Sequence, residues 1–175
     1  MSSPAFKVTI ITTGGTIEKT FDKARGRLHN QENVLDVMLE KLELPGMEIS
    51  RVSLMNKDSL EMTAEDHQQI VKAVEAAGVD SDAILVVHGT DRLAETGEYL
   101  CEAFGQKATL PVILTGAMRP YELRRTDSMQ NLTEALLAAR LLEPGVWCVM
   151  HNRALRFPGV RKDRERMTFV EESGA

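Results

Sequence analysis

Residues 83–87 read Ala-Ile-Leu-Val-Val, an uninterrupted apolar run that leads directly into His88-Gly89-Thr90-Asp91. A short run of this kind, bounded by a turn-forming segment, is typical of a strand that is covered on both faces. Together with similar runs elsewhere, it indicates a buried, mostly parallel sheet. The similar runs predict further strands at Phe6–Thr12, Met47–Leu54, Leu110–Thr115 and Val146–Met150.

Amphipathic segments lie between the predicted strands, and their apolar spacing predicts helices over residues 33–44, 63–78, 92–104 and 127–143. Thr63 and Asp66 form the pattern of a capping box at the second helix, and Asp127 with Gln130 begins the fourth. This alternation predicts an α/β fold: a doubly wound, mostly parallel sheet with helices on both faces. The tail from His151 to Ala175 is less regular and rich in arginine.

The composition narrows the classes of function. A chain of 175 residues suits a single domain over residues 1–175. Its formal net charge is −5, so we expect no nucleic-acid partner. Because it has neither a membrane-length apolar run nor a secretory signal, we expect no membrane association and cytoplasmic residence. Cys101 and Cys148 lack CxxC spacing, so neither a zinc site nor a disulfide framework is expected.

Small, hydroxyl-bearing segments follow the first four predicted strands. Because ligands of open α/β sheets bind beyond the carboxyl ends of the strands, these segments predict a site for a small polar ligand. Turn formation and helix capping alone would explain any one of them. The segments are Thr12–Ile17, Asn56–Ser59, His88–Asp91 and Thr115–Pro120.

Two ligand chemistries compete at this edge. A nucleotide phosphate could bind the Gly14-Gly15 turn, but the chain lacks both G-x-G-x-x-G and the GK[ST] ending of a phosphate loop. Acyl chemistry with a threonine nucleophile is the alternative, because the N–H groups of Gly14 and Gly15 could form an oxyanion hole. Asp91 and Lys162 could orient or deprotonate a hydroxyl on a neighbouring loop.

Three motifs resemble those of the bacterial-type L-asparaginase/glutaminase family. They are T-G-G-T-I at Thr13–Ile17, H-G-T-D at His88–Asp91 and G-A-M-R-P at Gly116–Pro120. Ser59–Thr63 and Asp127–Leu132 are similar to two further family segments, and the likeness extends along almost the whole chain.

The resemblance implies a catalytic set. Thr16 is similar to the nucleophile that forms the acyl-enzyme, and Thr90, Asp91 and Lys162 resemble the second catalytic group. The backbone N–H groups of Gly15 and Thr90 are the expected oxyanion donors. Taken alone, Thr16 would be a turn or helix-start residue, and Lys162 would be a solvated member of the tail.

The resemblance also implies a substrate-binding set, namely Gly15, Ser59, Gly89 and Ala117. Ser59 resembles the residue that holds the substrate α-carboxylate, and Asp91 the residue that holds its ammonium group. By itself, Ser59 would be a turn residue. His88 is expected to be buried and hydrogen-bonded, with a structural role.

The chain also departs from the family pattern. It resembles the family's first domain alone, so we expect one such domain over residues 1–175 and no C-terminal domain. The segment Glu18–Asn30 contains no tyrosine, although the family's mobile loop carries one there, and Arg92 stands where a threonine is usual.

The lead hypothesis is an amidohydrolase that acts on L-asparagine, or L-glutamine, through an acyl-threonine and without metal or organic cofactor. The alternative is a non-catalytic amino-acid-binding module that retains the pocket. We expect a homodimer or homotetramer, with the Glu18–Asn30 and Arg161–Arg166 segments at or near the subunit contact, because family sites lie where subunits meet.

Overall fold

The computed structural model describes residues 4–22, 27–30 and 34–172. The described residues form ten strands and four α-helices. The strands are β1 (Phe6–Thr12), β2 (Lys19–Asp22), β3 (Arg27–Asn30), β4 (Met47–Ser53), β5 (Ala83–Val87), β6 (Pro111–Thr115), β7 (Gly145–Met150), β8 (Arg153–Arg156), β9 (Val160–Asp163) and β10 (Thr168–Glu171). The helices are α1 (Val34–Leu39), α2 (Ala64–Ala77), α3 (Leu93–Phe104) and α4 (Ser128–Leu141).

The main sheet has the strand order β4-β1-β5-β6-β7-β8. Its first five strands are parallel, and β8 runs antiparallel to β7. Because β1 lies between β4 and β5, the direction of strand succession reverses there. In such sheets this reversal leaves a crevice at the carboxyl ends of the strands. The register brings the last residues of four strands level, namely Ser53, Thr12, Val87 and Thr115.

Apolar side chains fill a core on each face of the sheet. On one face, α1 and α4 pack on residues such as Ile10, Leu85 and Ile113. On the other, α2 and α3 pack on residues such as Ile84 and Val86. Every residue of β5 is buried, which confirms the predicted two-sided strand. The predicted doubly wound fold is therefore observed.

Most predicted boundaries lie within a residue or two of those observed, and α2 has the predicted capping box between Thr63 and Asp66. The first helix was predicted too long: α1 ends at Leu39, and the positions before Val34 lie outside the described residues. The tail was expected to be less regular than the rest, but residues after His151 form three strands, β8, β9 and β10.

The tail packs against α3 and the second core. Phe157, Val160 and Phe169 are all buried there. Gly97 of α3 faces the Phe157 ring so closely that a Cβ at this position would lie 2.0 Å from a ring carbon. This packing holds β9 and β10, an antiparallel pair, close to the carboxyl end of the main sheet.

Within the part of the chain that the structure describes, no helix is both long and apolar enough to cross a membrane.

Candidate active site

The loops after β1 and β5 touch at the crevice beside β1. Gly15 has φ 98°, a conformation that favours glycine. A Cβ on Gly15 would lie only 2.5 Å from the backbone nitrogen of Gly89. The two predicted motifs therefore meet backbone to backbone, and only a glycine at position 15 permits that approach.

The loop after β4 joins the same contact through Ser59. A Cβ on Gly89 would lie 2.6 Å from the Ser59 hydroxyl oxygen, and Ser59 itself is buried. Asp58 begins the short 3-10 turn that holds Ser59 and accepts a hydrogen bond from the Leu60 N–H. That bond and one from Lys19 lower the pKa of Asp58. Asp58 therefore caps the turn that holds Ser59 in place.

Thr16 is half-buried and begins a 3-10 turn that ends at Glu18. The Glu18 N–H donates to the Gly15 carbonyl, which closes this turn. Within the described ranges, no hydrogen bond to the Thr16 hydroxyl is found, and the N–H groups of Gly15 and Thr90 are also without acceptors. These three groups are therefore available to a ligand.

Thr90, Asp91 and Lys162 form a compact cluster. The Lys162 Nζ donates to Thr90 Oγ1 and to Asp91 Oδ1, each at 2.9 Å. The Lys162 side chain is only 10% exposed, so the interpretation of this residue as a solvated tail residue is wrong. Arg164 adds a second cation, with its Nη1 3.2 Å from Asp91 Oδ1.

The loop after β6 completes the edge, and its Ala117 is buried. Asp127 holds this loop, because its carboxylate accepts 2.9 Å hydrogen bonds from the N–H groups of Met118 and Arg119. Asp127 does not cap α4 through its side chain; instead, Thr126 Oγ1 accepts the Ser128 N–H at 3.0 Å. The Asp127 carboxylate therefore binds N–H groups of the loop after β6 and not those of the first turn of α4.

His151 is a residue of this network that sequence reasoning missed. Its Nε2 lies 2.7 Å from Asp127 Oδ2, and its Nδ1 lies 3.0 Å from Thr168 Oγ1 on β10. Burial pushes the pKa of Asp127 upward, but hydrogen bonds from His151 and the backbone outweigh it and bring the pKa to about 2. The available signal was a histidine immediately after a buried strand.

His88 has the predicted structural character. It is fully buried, and its Nδ1 lies 2.7 Å from the Gly89 carbonyl oxygen. Burial lowers the pKa of His88 to about 4, so the ring is neutral at physiological pH.

No metal-binding cluster is evident in residues 4–22, 27–30 and 34–172, where no three His, Cys, Asp or Glu side chains are grouped suitably. The described residues here offer hydroxyls, one largely buried lysine and two backbone N–H groups without acceptors. Such a set can bind and polarise a carbonyl group and move a proton near it.

Comparisons with known proteins agree with this geometry. The chain is 32% identical over 151 residues to an L-asparaginase from Thermococcus kodakarensis, a match that covers 85% of this chain and 45% of the relative. It is 30% identical over 151 residues to a glutamyl-tRNA(Gln) amidotransferase component from Methanobrevibacter smithii, covering 83% of this chain and 33% of the relative.

The solved structure of the thermostable L-asparaginase from Thermococcus kodakarensis superposes with a TM-score of 0.81 at 30% identity, covering 90% of this chain and 48% of that one. The chain thus spans less than half the length of these relatives. Residues 7–169 match the family described as Asparaginase, N-terminal. The chain therefore belongs to the asparaginase family and corresponds to its N-terminal part.

Proposed function

We propose that this site hydrolyses the side-chain amide of L-asparagine, or of L-glutamine, to the acid and ammonia. The observation that carries the proposal is the Lys162 ammonium, bonded to both Thr90 and Asp91 at the edge where Gly15, Gly89 and Ser59 meet. A lysine held against a threonine hydroxyl and a carboxylate is an arrangement suited to proton transfer.

The proposed chemistry has two steps. The Thr16 hydroxyl oxygen attacks the amide carbon, its proton passes to the departing nitrogen, and ammonia leaves an ester on Thr16. Water then attacks the ester carbon, its proton returns to the Thr16 oxygen, and the free acid leaves. The Thr90–Asp91–Lys162 cluster relays the protons, while the N–H groups of Gly15 and Thr90 receive the charge that develops on the carbonyl oxygen.

Substrate binding follows from the same edge. In this proposal Ser59 holds the α-carboxylate, Asp91 attracts the α-ammonium group, and the loop that contains Ala117 borders the substrate. No step needs a metal ion or organic cofactor. Cytoplasmic residence belongs to the proposal as well, and it fits the free thiols of Cys101 and Cys148.

A non-catalytic amino-acid-binding module is the second candidate. It is favoured by one specific observation: within the described residues, no base is hydrogen-bonded to the Thr16 hydroxyl. Ammonia release from asparagine and glutamine, measured beside the shift in melting temperature that each ligand produces, separates the two. Turnover supports the hydrolase, whereas a stabilising shift without ammonia selects the binding module.

A two-fold oligomer, dimer or tetramer, completes the proposal. Leu60, next to Ser59, and Met167, in the turn between β9 and β10, are large apolar residues with 64% and 48% of their surface exposed. A second copy over this edge would cover them and exclude water from the reaction. Of the segment expected at the contact, residues 23–26 lie outside the described ranges. Light scattering across a dilution series tests this, and a dilute monomer with full activity would contradict it.

A further inference from the structure

Three buried polar side chains, His67, Thr96 and His88, form a hydrogen-bonded series behind the loop that follows β5. His67 of α2 and Thr96 of α3 are joined by a 2.8 Å hydrogen bond between Nδ1 and Oγ1. Thr96 Oγ1 also lies 2.8 Å from His88 Nε2, and His88 Nδ1 lies 2.7 Å from the Gly89 carbonyl oxygen. None of the three side chains is exposed to solvent.

The positions of the hydrogen atoms in this hydrogen-bonded series follow from the Gly89 carbonyl at its end. The Gly89 carbonyl can only accept, so the neutral His88 ring carries its proton on Nδ1 and accepts on Nε2. Thr96 must then donate its hydroxyl proton to His88 and accept from His67 Nδ1. The remaining nitrogen of His67, Nε2, is buried without a hydrogen-bond partner within the described part of the chain.

The charged groups around His67 are few. Glu95 Oε1 lies 3.6 Å from His67 Nε2, and Glu95 is itself paired with Arg92 at 2.6 Å. Desolvation lowers the pKa of His67, and the Arg92 charge acts in the same direction, while Glu95 and Asp66 act in the opposite direction. His67 ends this hydrogen-bonded series: because Thr96 donates to His88, the hydrogen bond to Thr96 comes from the His67 Nδ1–H.

The Gly89 carbonyl and the Thr90 N–H belong to one trans peptide, so they point in opposite directions. When the carbonyl is held inward by His88, the Thr90 N–H must face away from the core. Gly89 has no side chain to restrict this peptide, because Ser59 occupies the space that a Cβ would need. The hydrogen bond from His88 therefore fixes the direction of the Gly89 carbonyl, and with it the direction of the Thr90 N–H.

We propose that His67, Thr96 and His88 are positioning residues that aim the Thr90 N–H at the reacting carbonyl oxygen. This inference rests on the proposed function, in which that N–H receives developing negative charge. Loss of an oxyanion donor costs about 10²–10³-fold in kcat, so partial loss of its aim should cost about 10-fold. KM should change little, because the donor acts mainly in the transition state.

Substitution of Thr96 tests the proposal. T96V keeps the shape and removes the hydroxyl, whereas T96S keeps the hydroxyl. T96V should lower kcat for asparagine about 10-fold with KM nearly unchanged, and T96S should retain most of the wild-type kcat. Wild-type kcat in a folded T96V protein, or equal losses in both variants, would overturn the proposal.

The variant His67→Phe provides a second test of the proposal if T96V does not fold. It keeps an aromatic ring against Tyr99, whose ring centroid lies 5.0 Å from that of His67. It removes only the first donor of the hydrogen-bonded series. We expect a smaller loss in kcat, about two- to three-fold, because Thr96 can still donate to His88. Unchanged kcat in this variant would contradict a role for His67.

Nuclear magnetic resonance tests the hydrogen-bonded series independently of turnover. Long-range proton–nitrogen spectra should show both His67 and His88 protonated on Nδ1, with His88 neutral down to about pH 5. The Thr90 amide resonance should move in T96V and remain in place in T96S. An Nε2–H form of His88 would overturn the proposed hydrogen-bonded series, whether or not asparagine is hydrolysed. The expected tautomers without any ammonia release would reject the proposed function alone.

Discussion

The two threonines at the carboxyl edge of the sheet have different surroundings. Thr90 is 5% exposed, and its hydroxyl is bonded to Lys162, which also binds Asp91. Thr16 is half-buried on a short 3-10 turn, and its hydroxyl has no hydrogen-bond partner within the described residues. One hydroxyl is therefore held in place by the fold, whereas no hydrogen bond within the described residues holds the other.

This difference fits the division of catalytic roles that we propose for the two motifs. A group that moves protons must keep a fixed geometry, which burial and paired hydrogen bonds supply. A nucleophile must instead reach the substrate, so an unpaired hydroxyl beside a glycine turn is suitable. If the division is correct, substitutions on the two sides should have different effects on activity and stability.

Thr16→Ala should have the largest effect on activity. Loss of the proposed nucleophile should reduce kcat at least about 10³-fold, the scale expected for one member of a catalytic set. The melting temperature should hardly change, because the hydroxyl makes no hydrogen bond within the described residues. Ammonia release and thermal unfolding measure both, with Thr16→Ser as the control that keeps a hydroxyl. Normal turnover by folded Thr16→Ala would remove Thr16 from the mechanism.

Lys162→Met should come next, and it should affect activity and stability together. Loss of the proton-transferring group should reduce kcat about 10²-fold or more and flatten the basic side of the pH profile. The fold should also weaken, because Asp91 loses a nearly buried partner. The exposed Lys72→Met is the matched control. Lys162→Arg separates charge from proton transfer, because arginine does not give up its proton.

Asp127→Asn should have little direct effect on chemistry and a measurable effect on stability. We expect a loss of about 2 kcal/mol in the free energy of unfolding at pH 7, because the carboxylate accepts several charge-assisted hydrogen bonds. This network reaches β10, which pairs with the strand of Lys162, so it belongs to the preformed half of the site.

The pH dependence of Asp127 has a definite sign. Its pKa falls from 3.8 to about 2 in the folded protein, so the ionised form favours folding. The contribution is fully present above about pH 4 and is lost as the pH falls toward 2. Urea unfolding at pH 7 and pH 3 should show a smaller difference between wild type and Asp127→Asn at pH 3. The exposed Asp80→Asn should show no such trend.

Arg164→Thr should have the smallest effect. Arg164 is 68% exposed, so solvent screens its charge well. It pairs with the same Asp91 oxygen as Lys162. Without it, Asp91 should attract a substrate ammonium group more strongly, and KM for asparagine should fall about two-fold at low salt. The difference should vanish at high salt. Arg166→Thr, at a neighbour whose side chain is 75% exposed, should leave KM unchanged, and a rise in KM for Arg164→Thr would contradict the idea.

Some parts of the site were predicted well because their causes are local. The apolar runs at Phe6–Thr12 and Ala83–Val87 have the observed strand bounds, and the Thr63 capping box is formed as expected. Helix α1 was overestimated, because apolar spacing continues past Leu39 although the chain there turns toward β4. The Asp127 carboxylate was expected at the helix start, but it turns toward the loop after β6.

By itself, the sequence determined the doubly wound sheet, the carboxyl edge and the loops that form it, because strand burial and turn formation depend on residues close together in the chain. Only the tertiary structure decided which distant groups meet there. Lys162 reaches Thr90 because Phe157, Val160 and Phe169 bury the tail against α3, and His151 reaches Asp127 across the same edge. Such contacts depend on the packing of whole elements, which local residue patterns do not specify.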